Sequence, residues 1–429
     1  MIGPFAGFTH EEVGGVAVLW RRDERFQTLR CSLVLRRPFD ERAAARALLP
    51  ALLLQGTERD PGRVALVRRM EMLYGAHAIP AQQKASETHM LRFTLDTVAG
   101  EALPGHPDQL GLGLALLGDL LTRPRLENGA FPLATFERER RQQLDAIRTI
   151  ADDKGTFAFE RVCALACSTE PFARPEHGGQ QAVEALTAQA VEAARSDFLS
   201  QGERVLLAHG RVDGDELRTK VGAFLAGLPT PTVQPLLRPA PIAKREVRRA
   251  TERVRMQQAH LWMLWRFEEP FAMRTWPARR LLAQVLGGGP HSRLFREVRE
   301  KRSLCYSIGC SPERQKGLLF VHTSLTEASV TECEAVVVAE VARIAAGTLA
   351  DDDLAAARAG VLAGLRSIDD SVQARLAFTL EQWLERQDES PDQLASRYQA
   401  VTKDDVVAAA RELWLDFVYL LAPSAEGAA

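Results

Sequence analysis

The chain has 429 residues, 46% of them apolar and 26% charged, with a formal net charge of -2. That balance belongs to a globular protein with ample core, and it gives nucleic acid or an anionic membrane no field to bind. The start, MIGPFAGFTHEEVGG, lacks the basic opening and apolar run of a signal peptide, and no window approaches the roughly 20 apolar residues of a membrane span, so the chain is expected to be cytoplasmic.

Alternating apolar and β-branched residues mark VAVLW (16–20) and LRCSLVLRR (29–37) as strands. Helical periodicity runs over 41–54 and 63–73, and HMLRFTLDTV (89–98) returns to a strand pattern. Helices are expected over 108–121, 131–150, 157–167 and 187–199, the last capped by Thr187, with RVLLAHG (204–210) as strand and 215–225 as helix. Residues 227–246 carry five prolines and no period, as an extended linker does. The order then recurs. HLWMLWRF (260–267) is a strand, 276–286 and 291–301 are helices, and strands follow around 304–308 and 318–324. A run of helices over 331–413 leads to a last strand, DFVYLLA (416–422). Strands followed by several helices, twice over, predict two α+β domains. They would occupy 1–226 and 247–429.

The search for chemistry begins with metal ligands. A zinc-binding helix needs two imidazoles four apart with a carboxylate beside them. The two closest of the nine histidines, His77 and His89, are far outside that spacing, so no single helix presents such a pair. The six cysteines are scattered, as reduced thiols are; Cys163 and Cys167 share a helical face without a second pair to complete a site. No G-x-S-x-G elbow or G-x-x-x-x-G-K-[ST] phosphate loop is present, and GLGLALLG (111–118) suits a tightly packed helix. Asp152 and Asp153 suit a helix cap better than a carboxylate pair.

The most distinctive stretch is LGGGPHSRLFREVREKRSLCYSIG (286–309). Three glycines end one helix and Ser292 can cap the next. Glu297 with Lys301, and Arg296 with Glu300, stand four apart as helical ion pairs, while Leu294 and Val298 share an apolar face.

The glycine run, Ser292-Arg293-Leu294-Phe295, Arg299-Glu300-Lys301 and Tyr306 closely resemble the C-terminal-domain motif of the M16 zinc peptidases, the insulinase, pitrilysin and mitochondrial processing peptidase family. The segments ALLPALLLQGTERDPG, LYGAHAIPAQQKASETH, GAFPLATFERERRQQLDAI and DDKGTFAFERV are similar to a bacterial subgroup of that family found as paired subunits. The resemblance implies two homologous α+β domains, each a mainly antiparallel sheet packed with helices, joined by the Pro-rich linker. In active members H-x-x-E-H precedes a Gly-Thr. Aligned on Gly56-Thr57, Ala47 and Ala51 stand at the two histidines and Pro50 at the glutamate that activates water. Aligned on Glu139-Arg140, Ala146 stands at the third ligand, with Asp145 beside it. A methyl group has no electron pair for zinc and proline is no general base, so this chain is expected to hold no metal of its own. Pro50 also removes a backbone donor, at a cost of about 3 kcal/mol in a helix interior, and should kink or end its helix.

The second half keeps Arg299 and Tyr306, which in the family contact the substrate backbone and help stabilise the tetrahedral intermediate. The resemblance therefore implies a non-catalytic subunit of a heterodimer, with zinc in an M16 partner and a peptide substrate. This chain would form half of the peptide-enclosing chamber, where peptide adds as a strand to a sheet edge. The alternative is a purely structural or peptide-binding member with no role in proteolysis. An autonomous hydrolase with a relocated site has no motif to support it.

Overall fold

The eleven residues TLRCSLVLRRP alternate direction along one strand, and nearly all of them are buried. A strand covered on both sides belongs in the middle of a sheet. The computed structural model describes residues 3–424 except 234, 237, 271 and 272, so two positions of the Pro-rich segment 227–246 lie outside the described residues. The chain opens with β1 (Gly3–Phe5), β2 (Phe8–Val13), β3 (Val16–Arg22), β4 (Thr28–Pro38), α1 (Ala43–Leu53) and α2 (Arg63–Met72). It continues through β5 (His77–Ala85), β6 (Thr88–Val98), α3 (Gln109–Thr122), α4 (Leu133–Ile150) and α5 (Lys154–Ala166). Then come α6 (Gln180–Glu184), α7 (Ala188–Gln201), β7 (Glu203–Gly210) and α8 (Gly214–Ala226). The second round holds β8 (Arg248–Val254), β9 (Ala259–Phe267), α9 (Trp276–Gly287), β10 (Cys305–Glu313) and β11 (Leu318–Leu325). It closes with α10 (Val330–Ala345), α11 (Asp351–Arg366), α12 (Val372–Leu384), α13 (Pro391–Ala400), α14 (Lys403–Arg411) and β12 (Leu413–Pro423).

The expected α+β class, built on two mainly antiparallel sheets, is what forms. The first sheet has the order β1-β2-β3-β7-β4-β6-β5 and the second β10-β11-β9-β12-β8. Among the described residues, only β3 with β7 and β8 with β12 run parallel. Side chains two apart face the same way. Leu33, Leu35, Phe93 and Leu95 therefore meet Leu48, Leu49, Leu52 and Leu53 of α1 in one core. Val34, Val205 and Leu207, on the opposite face, meet Leu376, Leu380 and Trp383 of α12. Strands missed by periodicity lie mostly at edges. β5 carries Pro80, Gln82, Gln83 and Lys84, and β8 alternates charged residues outward, the polar edge chemistry that blunts unwanted pairing.

Two compact units result, and neither is contiguous. The first comprises Met1–Arg148, Pro175–Leu236 and Ser367–Pro391; the second comprises Thr149–Arg174, Leu237–Arg366 and Asp392–Ala429. Each half of the chain thus surrenders one helix, α5 or α12, to the other half's sheet. In the second unit Ala158, Val162 and Ala166 of α5 pack on Leu264, Phe320, Phe417 and Tyr419. Full burial of a side chain such as Val162, Leu264 or Phe417 contributes roughly 1.5–3 kcal/mol, and of an alanine methyl less.

A buried charge network secures the same segment. Arg266 donates from Nε to Asp416 at 2.6 Å and from Nη2 to Glu170 at 2.7 Å, and Lys316 donates to Glu170 as well. Arg245 and Arg248 also donate to Asp416, at 2.8 and 3.1 Å. Asp416 has no solvent exposure.

Candidate functional site

Helix α1 runs through Pro50 and ends at Leu53, so the proline neither stops the helix at once nor prevents its C-terminal turn. Leu54 still donates its backbone N–H to the Pro50 carbonyl. The two leucine pairs of α1 pull one face into the core, and the spacing 47, 50, 51 puts Ala47, Pro50 and Ala51 together on the partly exposed face. These are the three positions that the resemblance aligns with a metal helix, and none of them carries a side chain able to ligate a metal. Gly56 follows at φ 140°, where a Cβ would stand 2.6 Å from the Gly62 nitrogen, and the Thr57 hydroxyl bonds Asp60 at 3.2 Å.

Arg138 of α4 donates to the Gln55 side chain at 2.8 Å, bringing α4 beside the end of α1. Glu139 is buried against Arg138, whereas Ala146, two turns on, is exposed. Its neighbour Asp145 pairs with Arg148 at 3.1 Å. Among the described residues no group of three or more His, Cys, Asp or Glu side chains is placed to hold a metal ion. His260 and His322 come near each other on the paired strands β9 and β11, but no third such side chain joins them among the described residues. His209 is buried between Phe8 and Phe26, and His322 stacks on Trp262. His89 is bonded to Gln82, its pKa pushed down to about 3, chiefly by burial. Alanine, proline and core histidines do not fit zinc.

The C-terminal motif is different. Gly287 ends α9, and a Cβ there would meet the Cys310 backbone nitrogen at 2.7 Å. Leu294 and Val298 are fully buried, and Arg293 donates to the buried Glu340 of α10 at 2.8 Å. Three details depart from the simple α-helix expected over 291–301. Residues Phe295–Glu300 form a π-helical turn. Ser292 stands directly before the helical residues, but it is buried and its hydroxyl has no hydrogen-bond partner, so it makes no capping bond. Arg296 pairs with Asp353 instead of Glu300, while the Glu297–Lys301 pair forms at 2.5 Å. The chain then turns through Ser303 at φ 54° into β10.

That turn brings Arg299 and Tyr306 together. The Arg299 guanidinium carbon lies 4.9 Å from the Tyr306 ring centre and 4.6 Å from the Phe295 ring centre. Arg299 makes no ion pair among the described residues. Tyr306 is 77% exposed and is the extra residue of a β-bulge, since Cys305 and Ser307 pair with the adjacent Leu325 and Ser324. A π turn and a bulge both re-aim side chains out of regular register. Phe295, the last residue of the Ser-Arg-Leu-Phe run, is the second ring against Arg299, a contact that the motif does not announce.

Residues 185–361 match the family described as the peptidase M16 inactive domain. The probable inactive metalloprotease YmfF of Bacillus subtilis (strain 168) is 24% identical over 409 residues, covering 95% of this chain and 96% of its own. An uncharacterized zinc protease of Streptomyces coelicolor is 30% identical over 322 residues, covering 71% of this chain and 67% of its own. Among solved structures, a conserved protein from Enterococcus faecalis V583 aligns with a TM-score of 0.91 at 21% identity, covering 97% of this chain and 99% of that one. At such identity the likeness speaks for the fold.

Proposed function

Because the chain belongs to the M16 peptidase family, as a non-catalytic member with no ligand side chain at the aligned metal positions, we propose that it is the complementing subunit of a heterodimeric zinc peptidase. Zinc, held by the M16 partner, supplies the Lewis acid and the attacking water. This chain contributes half of the peptide-binding chamber and the Arg299/Tyr306 pair. Its guanidinium clamps carbonyl oxygens of the peptide, and its phenol donates to the oxyanion that develops at the scissile carbonyl.

The observation that supports this most is the state of Arg299. It carries no counter-ion among the described residues, is held between two rings, and neighbours a tyrosine that a bulge turns outward. Removing one oxyanion donor typically lowers kcat by about 10²–10³. The double variant Arg299→Ala/Tyr306→Ala, reconstituted with the zinc-bearing partner, is therefore expected to assemble normally and lose at least that factor in peptide cleavage. Full activity in the reconstituted pair would end the proposal.

A second reading, a structural or peptide-binding member outside proteolysis, draws on the same contact, because ring stacking can by itself account for an arginine and a tyrosine in this place.

A further inference from the structure

Behind the first unit's sheet, on the face covered by α12, lies a cavity of about 220 Å³. Strand register builds its floor. Ser32 of β4 pairs with Thr94 of β6, and Thr94 with Ile79 of β5; one step along, Val34 pairs with Arg92 and Arg92 with Ala81. Leu376, Ala377 and Leu380 of α12 supply the other wall. This face is opposite the one on which α1 packs, so the cavity is separate from the metal-helix frame and owes nothing to the peptidase reading.

Two arginines line it, and they differ. Arg30 is committed to Asp96 through two hydrogen bonds. The side chain of Arg92, half-buried, makes no ion pair or hydrogen bond among the described residues. Burial, and then the like charge of Arg30, hold its guanidinium below the usual arginine range. A partly desolvated cation without a counter-ion is costly, and in a concave site lined by both polar and apolar side chains it favours an anionic ligand. The Ser32 and Thr94 hydroxyls lie 3.0 Å apart. One donates to the other, so the acceptor's own O–H is free to donate outward.

We propose that this cavity binds a small monocarboxylate with an aliphatic body. Its carboxylate meets Arg92 and the free hydroxyl, and its hydrocarbon lies against Ile79, Leu376 and Leu380. The guanidinium fork binds a carboxylate or a phosphate, but one uncommitted positive charge balances the single charge of a monocarboxylate and leaves a doubly charged phosphate with a surplus. The volume is below the roughly 300–1,000 Å³ of drug-sized sites, so the ligand is about the size of one residue. A free short-chain acid and the C-terminal residue of a peptide share this chemistry.

The test is calorimetric titration of the full chain with hexanoate, N-acetyl-leucine, N-acetyl-leucine amide, hexylamine and inorganic phosphate. Hexanoate or N-acetyl-leucine is expected to bind at one site with millimolar affinity or better. Hexylamine and phosphate are expected to stay silent. Arg92→Gln should weaken the carboxylate at least about tenfold, the usual loss with a charged hydrogen bond. Ala377→Phe, which fills the cavity and keeps Arg92, should abolish binding, and circular dichroism checks that both variants fold. N-acetyl-leucine binding tighter than hexanoate, with its amide silent, assigns a peptide C-terminus; the reverse order assigns a free acid. Silence of both carboxylates, equal binding of phosphate or hexylamine, or unchanged affinity in either variant overturns the proposal.

Discussion

Tyr306 can act as a ring or as a hydroxyl, and a single atom separates the two. The ring faces Arg299, whereas an oxyanion needs the hydroxyl. Tyr306→Phe keeps the stack and removes the donor. If the phenol stabilises the developing charge at the partner's zinc, this variant lowers kcat of the reconstituted peptidase by about 10²–10³ with little change in KM. If the tyrosine only packs, steady-state kinetics are unchanged. Residue identity was legible here without a structure, because the Arg and Tyr stand in a run whose other members are equally distinctive. Their meeting was not, since it depends on a π turn, a positive φ at Ser303 and a bulge that no periodicity announces. Ser292 stands directly before the helical residues and its carbonyl accepts the Arg296 N–H, but its buried hydroxyl makes no capping bond.

At the scale of elements, α5 shows how a segment can be secured by charge as well as by apolar area. Burial alone would push the carboxyls of Glu170 and Asp416 up. Hydrogen bonds from Arg266 and Lys316 to Glu170, and from Arg245 and Arg266 to Asp416, outweigh it and hold both below the usual carboxylate range. A depressed folded pKa gives stability that is fully present above the unfolded value of about 4 and is lost as pH falls through the folded value. These two groups therefore add nothing to pH dependence between about pH 5 and 8, and their contribution fades below about pH 4. Asp416→Ala leaves Arg266, Arg245 and Arg248 without that carboxylate, and breaking a buried pair in this way costs about 3–5 kcal/mol. Urea unfolding at neutral pH should show that loss, and acid titration of the variant should show a shallower fall than the parent. The helices themselves were legible from their 3.6-residue pattern, and Thr187 and Asp153 cap as expected. The ion network was not, because its members are spread from residue 170 to residue 416.

Across the whole molecule, the exchange of α5 and α12 makes each half of the chain incomplete. Cut within 227–246, the first half would lack the Leu376, Leu380 and Trp383 cover of its sheet, and the second would lack Ala158, Val162 and Ala166. Either half expressed alone is expected to expose an apolar sheet face, bind a hydrophobic dye and aggregate; co-expressed halves should co-purify as one folded species. Stable, monomeric halves with native-like near-ultraviolet dichroism would contradict this. The sequence by itself determined the α+β class and the repeated strand-then-helix order, because hydrophobic period is a local property, and it shows that residues 47, 50, 51 and 146 carry no side chain able to ligate a metal. Only the tertiary structure decided which helix covers which sheet, that Arg299 lies against Tyr306, and that Arg92 stands without a counter-ion. Those follow from contacts between residues far apart in the chain, which burial and strand register select and no local pattern encodes.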